Sequence, residues 1–108
     1  DSNAFWNNHV PDNLKIILVN NGGGNIFKVI KGPDNTKQLE SLFVTKQNGN
    51  AQNLCKAFNI GYVSCHDLVS YKAQLSILIS AAKCTVLEVF TPSNESANNY
   101  REFFKTLK

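Results

Sequence analysis

Apolar residues run almost unbroken through positions 14–19 (Leu-Lys-Ile-Ile-Leu-Val), without the alternation of a half-buried strand. Such a run predicts a strand buried on both faces, as in a parallel sheet. A different period follows. Ala51, Leu54, Cys55 and Phe58 recur at helical spacing, and Asn59 and Gly61 close that helix. Residues 62–65 then read as a short strand. Asp67 stands as an N-cap before Leu68, Tyr71, Leu75, Leu78, Ile79 and Ala82, the stripe of a longer helix. Residues 85–90 are β-branched and apolar and predict a third strand, broken by Thr91-Pro92. Ser93 is placed to cap a last helix in which Ala97, Tyr100, Phe104 and Leu107 share one face.

The remaining stretches fit between these. Residues 1–8 have the composition of a short helix with Phe5 and Trp6 as packing residues, and Pro11 and Asp12-Asn13 turn the chain into the first strand. Residues 25–31 predict a short helical turn, broken by Gly32-Pro33-Asp34-Asn35. Residues 33–50 are polar apart from Leu39, Leu42, Phe43 and Val44, and predict a long loop carrying a short helix. Strands alternating with helices predict an α/β fold, a three-layer α/β/α arrangement on a parallel sheet. Three strands are few for such a sheet, so an edge and a helix-packing face are expected to be exposed. The isolated chain is then expected to be marginally stable or to pair with a copy of itself.

Composition narrows the function classes. The chain has 108 residues, 43% hydrophobic and 18% charged, which suits one globular domain and argues against disorder. No apolar run approaches the ~20 residues of a membrane span, and no signal-peptide pattern opens the sequence. The net charge of +3 comes from scattered lysines, not from a basic stripe with aromatic platforms, so nucleic acid is not an expected partner. Cys55, Cys65 and Cys84 lack metal or redox spacing and read as buried reduced thiols of a cytoplasmic protein. His9 and His66 have no diagnostic partner, and His66 reads as a solvated loop residue. Glu88 inside an apolar strand is unusual; it is expected at the pairing edge, or snorkelling to solvent, with a structural ion pair as the remaining reading. Lys28 and Lys31 read as solvated, with contact to a substrate carboxylate as the alternative. No residue is singled out as catalytic.

The chemistry concentrates at Asn20-Asn21-Gly22-Gly23-Gly24-Asn25-Ile26-Phe27. Three glycines permit a sharp turn with no Cβ in the way, and the turn follows directly on a strand, where open α/β sheets bind ligands. Two asparagines supply amide oxygens, and Ile26 and Phe27 supply an apolar wall. The spacing is neither G-x-G-x-x-G nor a P-loop. A tight turn without a ligand accounts for it equally well on these residues alone.

Asn20-Asn21-Gly-Gly-Gly-x-Ile-Phe resembles the second half of the thiamine-diphosphate motif, in the form used by the succinyl-enolpyruvyl-hydroxy-cyclohexene-carboxylate (SEPHCHC) synthases. Asp1-Ser2-Asn3-Ala4 resembles the Asp-x-Asn-Ala helix of that family. The helix at 51–58, the Gly61-Tyr62 strand, the Asp67 helix and the strand from Thr85 follow in the family's order. This resemblance implies that residues 1–108 are the C-terminal portion of the diphosphate-side domain of such an enzyme. The family motif opens with a Gly-Asp pair whose Asp binds metal, and no Gly-Asp occurs in this sequence, so the chain is expected to start inside the motif.

The resemblance further implies thiamine diphosphate with Mg²⁺ (or Mn²⁺) as cofactors. Asn21 and the Gly23 carbonyl would be metal ligands, Asn20 would support the turn, Gly22 and Gly24 would shape it, and Ile26 and Phe27 would pack against cofactor or substrate. The activity implied for the whole enzyme is decarboxylation of 2-oxoglutarate and addition of the succinyl carbanion equivalent to isochorismate, in menaquinone biosynthesis. Its partners would be the remaining domains of the same enzyme, within a homodimer or homotetramer. Other thiamine-diphosphate carboligases of the acetolactate-synthase type, and a non-catalytic α/β binding module, are the alternatives. The chain by itself is expected to be inactive.

Overall fold

The computed structural model describes residues 2–7 and 9–107. The sequence expectation of a helix over 1–8 partly falls on Asp1 and Asn8, which lie outside the described residues. Between them only a single 3₁₀ turn, Asn3–Phe5, forms. The regular elements are β1 (Lys15–Asn20), α1 (Gln52–Ala57), β2 (Gly61–Cys65), α2 (Leu68–Ser80), β3 (Thr85–Phe90) and α3 (Ser93–Lys105). They form two compact units, one of residues 1–19 and 50–90, the other of residues 20–49 and 91–108.

The first unit is built on a three-stranded sheet of order β1-β3-β2. β2 and β3 are parallel, from Gly61 opposite Thr85 to Cys65 opposite Val89. β1 runs the same way. The amide of Thr85 bonds the Leu14 carbonyl at its start and the amide of Thr91 bonds the Asn20 carbonyl at its end, a constant offset along both strands. This α/β parallel sheet is the predicted class.

The prediction that β1 is the strand buried on both faces is corrected. β1 is an edge, and Ile17, Leu18 and Val19 are exposed. β3 holds the centre instead, buried from Thr85 through Glu88. A run of apolar residues reports a strand that needs cover, and the run alone does not reveal which strand the fold covers.

Alternation along β3 divides the core between the faces of the sheet. Cys84 and Val86 pack with Cys55 and Ile60, bordered by Phe5, Val10, Ile16, Ala51, Phe58 and Tyr62. Leu87 packs with Cys65 and Leu78, bordered by Val63, Tyr71, Leu75 and Val89. Each helix therefore contributes part of its predicted stripe. Leu54 on α1 and Leu68 and Ile79 on α2 were expected inside and are exposed. Asp67 caps α2 as expected: its carboxylate accepts the Ser70 amide at 2.8 Å, while Ser70 Oγ accepts the Asp67 amide at 3.3 Å. Those donors hold the Asp67 carboxyl below its ordinary range.

Glu88 corrects another expectation. Its side chain neither reaches solvent nor sits at a strand edge; the residue is 1% exposed in the central strand. One carboxylate oxygen accepts the Ala51 amide at 2.9 Å and the Tyr62 hydroxyl at 2.7 Å, which joins the residue before α1 to β2. Burial, and then the bond to Glu88, push the Tyr62 hydroxyl up to about 12. The three cysteines are buried and free, and burial raises all three thiols. They are protonated structural residues. His66 is exposed, as expected, and its ring stacks on Phe90 at 4.5 Å.

The second unit has little sheet and much polar bonding. It comprises the glycine turn, a 3₁₀ turn Asn25–Lys28, a second one at Pro33–Asn35, a π-helical turn Leu39–Val44, and α3. The loop over 33–50 with a short helical piece is thus as predicted, its helix being of the wider π form. Among the described residues no helix is long and apolar enough to cross a membrane.

Candidate functional site

The glycine turn is shaped by its own asparagines. Asn20 Oδ1 accepts the Gly22 amide at 3.0 Å, Asn20 Nδ2 donates to the Gly49 carbonyl at 3.0 Å, and the Asn20 carbonyl accepts the Thr91 amide at 2.9 Å. Asn20 thus ties the end of β1 to both flanking segments of its unit. Asn21 Oδ1 turns back toward the Gly23 amide at 3.4 Å. Gly22 has φ +75°, the left-handed region. At Gly23 a Cβ would lie 2.6 Å from the Val44 carbonyl oxygen, a backbone contact that cannot yield. The close approach is held by the Gly24 amide bonding that same oxygen at 2.7 Å, and the Gln47 amide bonding the Gly22 carbonyl at 2.8 Å. The loop over 39–47 is laced to the turn backbone to backbone.

Past the turn, Ile26 is 54% exposed and Phe27 is partly buried against Phe43, with ring centroids 5.4 Å apart. A cavity of about 270 Å³ is lined by Asn21, Asn25, Ile26 and Val29 on the turn side and by Ser96, Ala97 and Tyr100 of α3. Of the sequence-predicted residues, the structure brings Asn21 and Ile26 to this cavity. Gly22, Gly23 and Gly24 form the turn behind it, Asn20 braces the turn, and Phe27 points to Phe43 instead of lining the cavity.

Sequence reasoning missed the contribution of α3. Ser93 does not cap the helix, whose N-cap position is Pro92. Ser93 Oγ instead donates to Asn25 Oδ1 at 2.5 Å, and Asn25 Nδ2 donates to the Ser93 carbonyl at 3.2 Å. Of the predicted helix face, Ala97 is buried while Tyr100, Phe104 and Leu107 are exposed.

Lys28 is a correction as well. It is 6% exposed, not solvated; its ammonium meets Glu40 Oε1 and Asn94 Oδ1, each at 2.7 Å. The Arg101 guanidinium donates to the Lys28 carbonyl. Lys31 is exposed. Asn25 directly after the glycines, Lys28 three residues further on, and Ser93-Asn94 at the start of a later helix carry no spacing that links them, so no sequence signal points to this clamp.

The donors at the turn are neutral oxygens and amides. Among the described residues, no three His, Cys, Asp or Glu side chains gather where they could hold a metal ion. The Thr91 hydroxyl is buried with no hydrogen-bond partner among the described residues, although its amide holds Asn20.

No family model matches this sequence. Curated proteins do. The chain is 40% identical over 107 residues to the 2-succinyl-5-enolpyruvyl-6-hydroxy-3-cyclohexene-1-carboxylate synthase of Flavobacterium psychrophilum, a match covering 99% of the chain and 20% of that protein. It is 38% identical to the synthase of the same name from Flavobacterium johnsoniae over 99% of the chain and 20% of that protein. Against the Cytophaga hutchinsonii synthase it is 36% identical over 100% of the chain and 20% of that protein. The chain therefore spans about a fifth of the length of the relatives it matches. With the similarity running from end to end of the chain, its sequence belongs to the SEPHCHC synthase family.

Proposed function

We propose that this chain is the C-terminal portion of the thiamine-diphosphate-binding domain of a SEPHCHC synthase, and that its glycine turn holds the metal and diphosphate end of the cofactor. The observation that carries the reading is the turn itself. The Asn20 amide braces it, the Asn21 oxygen makes only a long 3.4 Å contact to the Gly23 amide, and the backbone at Gly23 fits only glycine. The residues suit the group. Mg²⁺ takes hard oxygen ligands in octahedral array, and Asn21 Oδ1 and the Gly23 carbonyl are oxygens on neighbouring residues of one tight turn. Both are neutral, so charge balance has to come from a carboxylate outside this chain and from the diphosphate.

Thiamine diphosphate, when bound, supplies the electron sink for decarboxylation of a 2-oxo acid. The residues of this chain bind and orient. Asn21 and Gly23 hold the cation, Asn20 fixes the turn, and Ile26 with Val29 gives an apolar wall that excludes water beside a polar end. The whole enzyme then converts 2-oxoglutarate and isochorismate to SEPHCHC in menaquinone biosynthesis. The remaining domains belong to the same polypeptide, which assembles as a homodimer or homotetramer in the cytoplasm, and this chain alone has no activity.

Calorimetric titration of the full-length protein with thiamine diphosphate and Mg²⁺ tests the reading. Wild type binds, and Asn21→Ala binds at least about tenfold more weakly, the scale expected for losing a neutral oxygen placed directly on a cation. Equal affinities in the two proteins would remove the turn from the site. Formation of SEPHCHC by the 108-residue chain alone would contradict its inactivity.

A further inference from the structure

Asn25 occupies the undefined position of Gly-Gly-Gly-x-Ile-Phe, and its bonds make it more than a spacer. Its backbone amide donates to the Gly23 carbonyl at 2.9 Å. Its side-chain amide is gripped at both ends by one residue: Ser93 Oγ donates to Oδ1 at 2.5 Å, and Nδ2 donates to the Ser93 carbonyl at 3.2 Å. Two bonds to a single residue fix both the rotamer and the amide plane of Asn25, where one bond would leave the plane free to turn. A carbonyl oxygen has two lone pairs, so the Asn25 amide uses one and leaves the other for a ligand. Swinging the Gly23 carbonyl away would break its bond to Asn25, or drag Asn25 off Ser93.

A second tie backs the first. The Lys28 ammonium bonds Asn94 Oδ1, and Arg101 donates to the Lys28 carbonyl, so the whole turn Asn25–Lys28 is fastened to α3.

We propose that Asn25 and Ser93 form a positioning pair that sets the direction of the Gly23 carbonyl and thereby the affinity of the turn for a divalent cation. The proposal rests on the reading above that this carbonyl is a metal ligand. Neither side chain touches the ion; they act on the ligand, as outer hydrogen-bond partners do in metal sites, where their loss costs about 10- to 100-fold in metal affinity.

The test is Mn²⁺ binding to the full-length protein in the presence of thiamine diphosphate, read from the paramagnetic resonance signal of free Mn²⁺. Asn25→Ala should weaken binding about tenfold, the lower end of that scale, and Ser93→Ala by less, about three- to fivefold, because the Ser93 carbonyl still holds Asn25 Nδ2. The double variant should be no weaker than Asn25→Ala within about twofold, because the pair acts as one unit. Ser93→Thr keeps the hydroxyl and should restore binding to within about twofold of wild type. Thermal unfolding of each variant separates a lost fold from a lost ligand; should Asn25→Ala not fold, the Ser93→Ala and Ser93→Thr contrast carries the test. Affinities within twofold of wild type for both single variants, or effects that multiply in the double, overturn the proposal. Asn21→Ala separates the two levels. If it abolishes Mn²⁺ uptake while the pair variants bind normally, only the positioning role fails; if wild type takes up no Mn²⁺, or Asn21→Ala matches it, the underlying reading fails too.

Discussion

The two units of this chain are held by opposite means. The sheet unit relies on apolar packing on both faces of β3, with one buried carboxylate, Glu88, set among it. The unit with the glycine turn has few buried apolar residues, Val44 and Ala97 among them, and depends on side-chain hydrogen bonds: Asn20 to Gly22 and Gly49, Asn25 to Ser93, Lys28 to Glu40 and Asn94. Packing is non-directional and tolerates small shifts. Hydrogen bonds fix the direction of individual oxygens, at modest net stability. On the proposed reading, in which the turn aims carbonyl and amide oxygens at a cation, the second means suits the unit better.

The contrast is broken most strongly in the sheet unit. Leu87→Ala removes a fully buried side chain between Cys65 and Leu78 and should cost about 2–5 kcal/mol in urea unfolding. A loss under about 1 kcal/mol would mean that this cluster is not the core of the unit. Next comes Glu88→Ala, which removes the acceptor shared by the part-buried Ala51 amide and Tyr62 hydroxyl and should cost about 1–3 kcal/mol. Glu88→Gln keeps an acceptor and should recover much of that loss; if Gln is as damaging as Ala, the charge and not the bonds is what matters.

The sheet unit should also respond to alkaline pH. The folded chain keeps the Tyr62 proton up to about 12 and holds its buried thiols protonated above their ordinary range. The unfolded chain releases those protons earlier, so it binds fewer protons across this window and stability falls as pH rises from the ordinary thiol and phenol values through the raised ones. Tyr62→Phe should flatten the upper part of that fall. An unchanged slope in a pH series of urea midpoints would contradict the assignment.

In the turn unit, effects on stability should be small and effects on ligand large. Asn21→Ala should change the unfolding midpoint by no more than the ~0.5 kcal/mol of an ordinary surface change, while weakening cofactor binding. Smallest of all, Thr91→Val removes a buried hydroxyl that has no partner among the described residues and should leave stability equal or slightly higher. A clear loss would show that the hydroxyl is bonded in solution.

The sequence carried the sheet unit better than the turn unit, for the same physical reason. Burial leaves a period, so the strand at Thr85–Phe90, the Asp67 cap and the inner stripe of α2 through Tyr71, Leu75 and Leu78 could be read from spacing. Even there, periodicity could not say that β1 is the edge, or that Glu88 is paid for by partners 37 and 26 residues away. Polar networks leave no period. Lys28 looked solvated and Ser93 looked like a cap because each is a common residue in a common place; the bonds from Lys28 to Asn94 and from Ser93 to Asn25 span 66 and 68 residues, and only the fold brings them together. The turn was legible as a motif, and its bracing by Asn25 and α3 was not.

The central claim, that this turn holds a divalent cation through Asn21 and Gly23, is tested most directly by anomalous diffraction from crystals of the full-length protein grown with Mn²⁺ and thiamine diphosphate. The account predicts one anomalous peak within coordination distance, about 2.0–2.3 Å, of both Asn21 Oδ1 and the Gly23 carbonyl oxygen. A peak bound to the diphosphate but out of reach of both oxygens would contradict it.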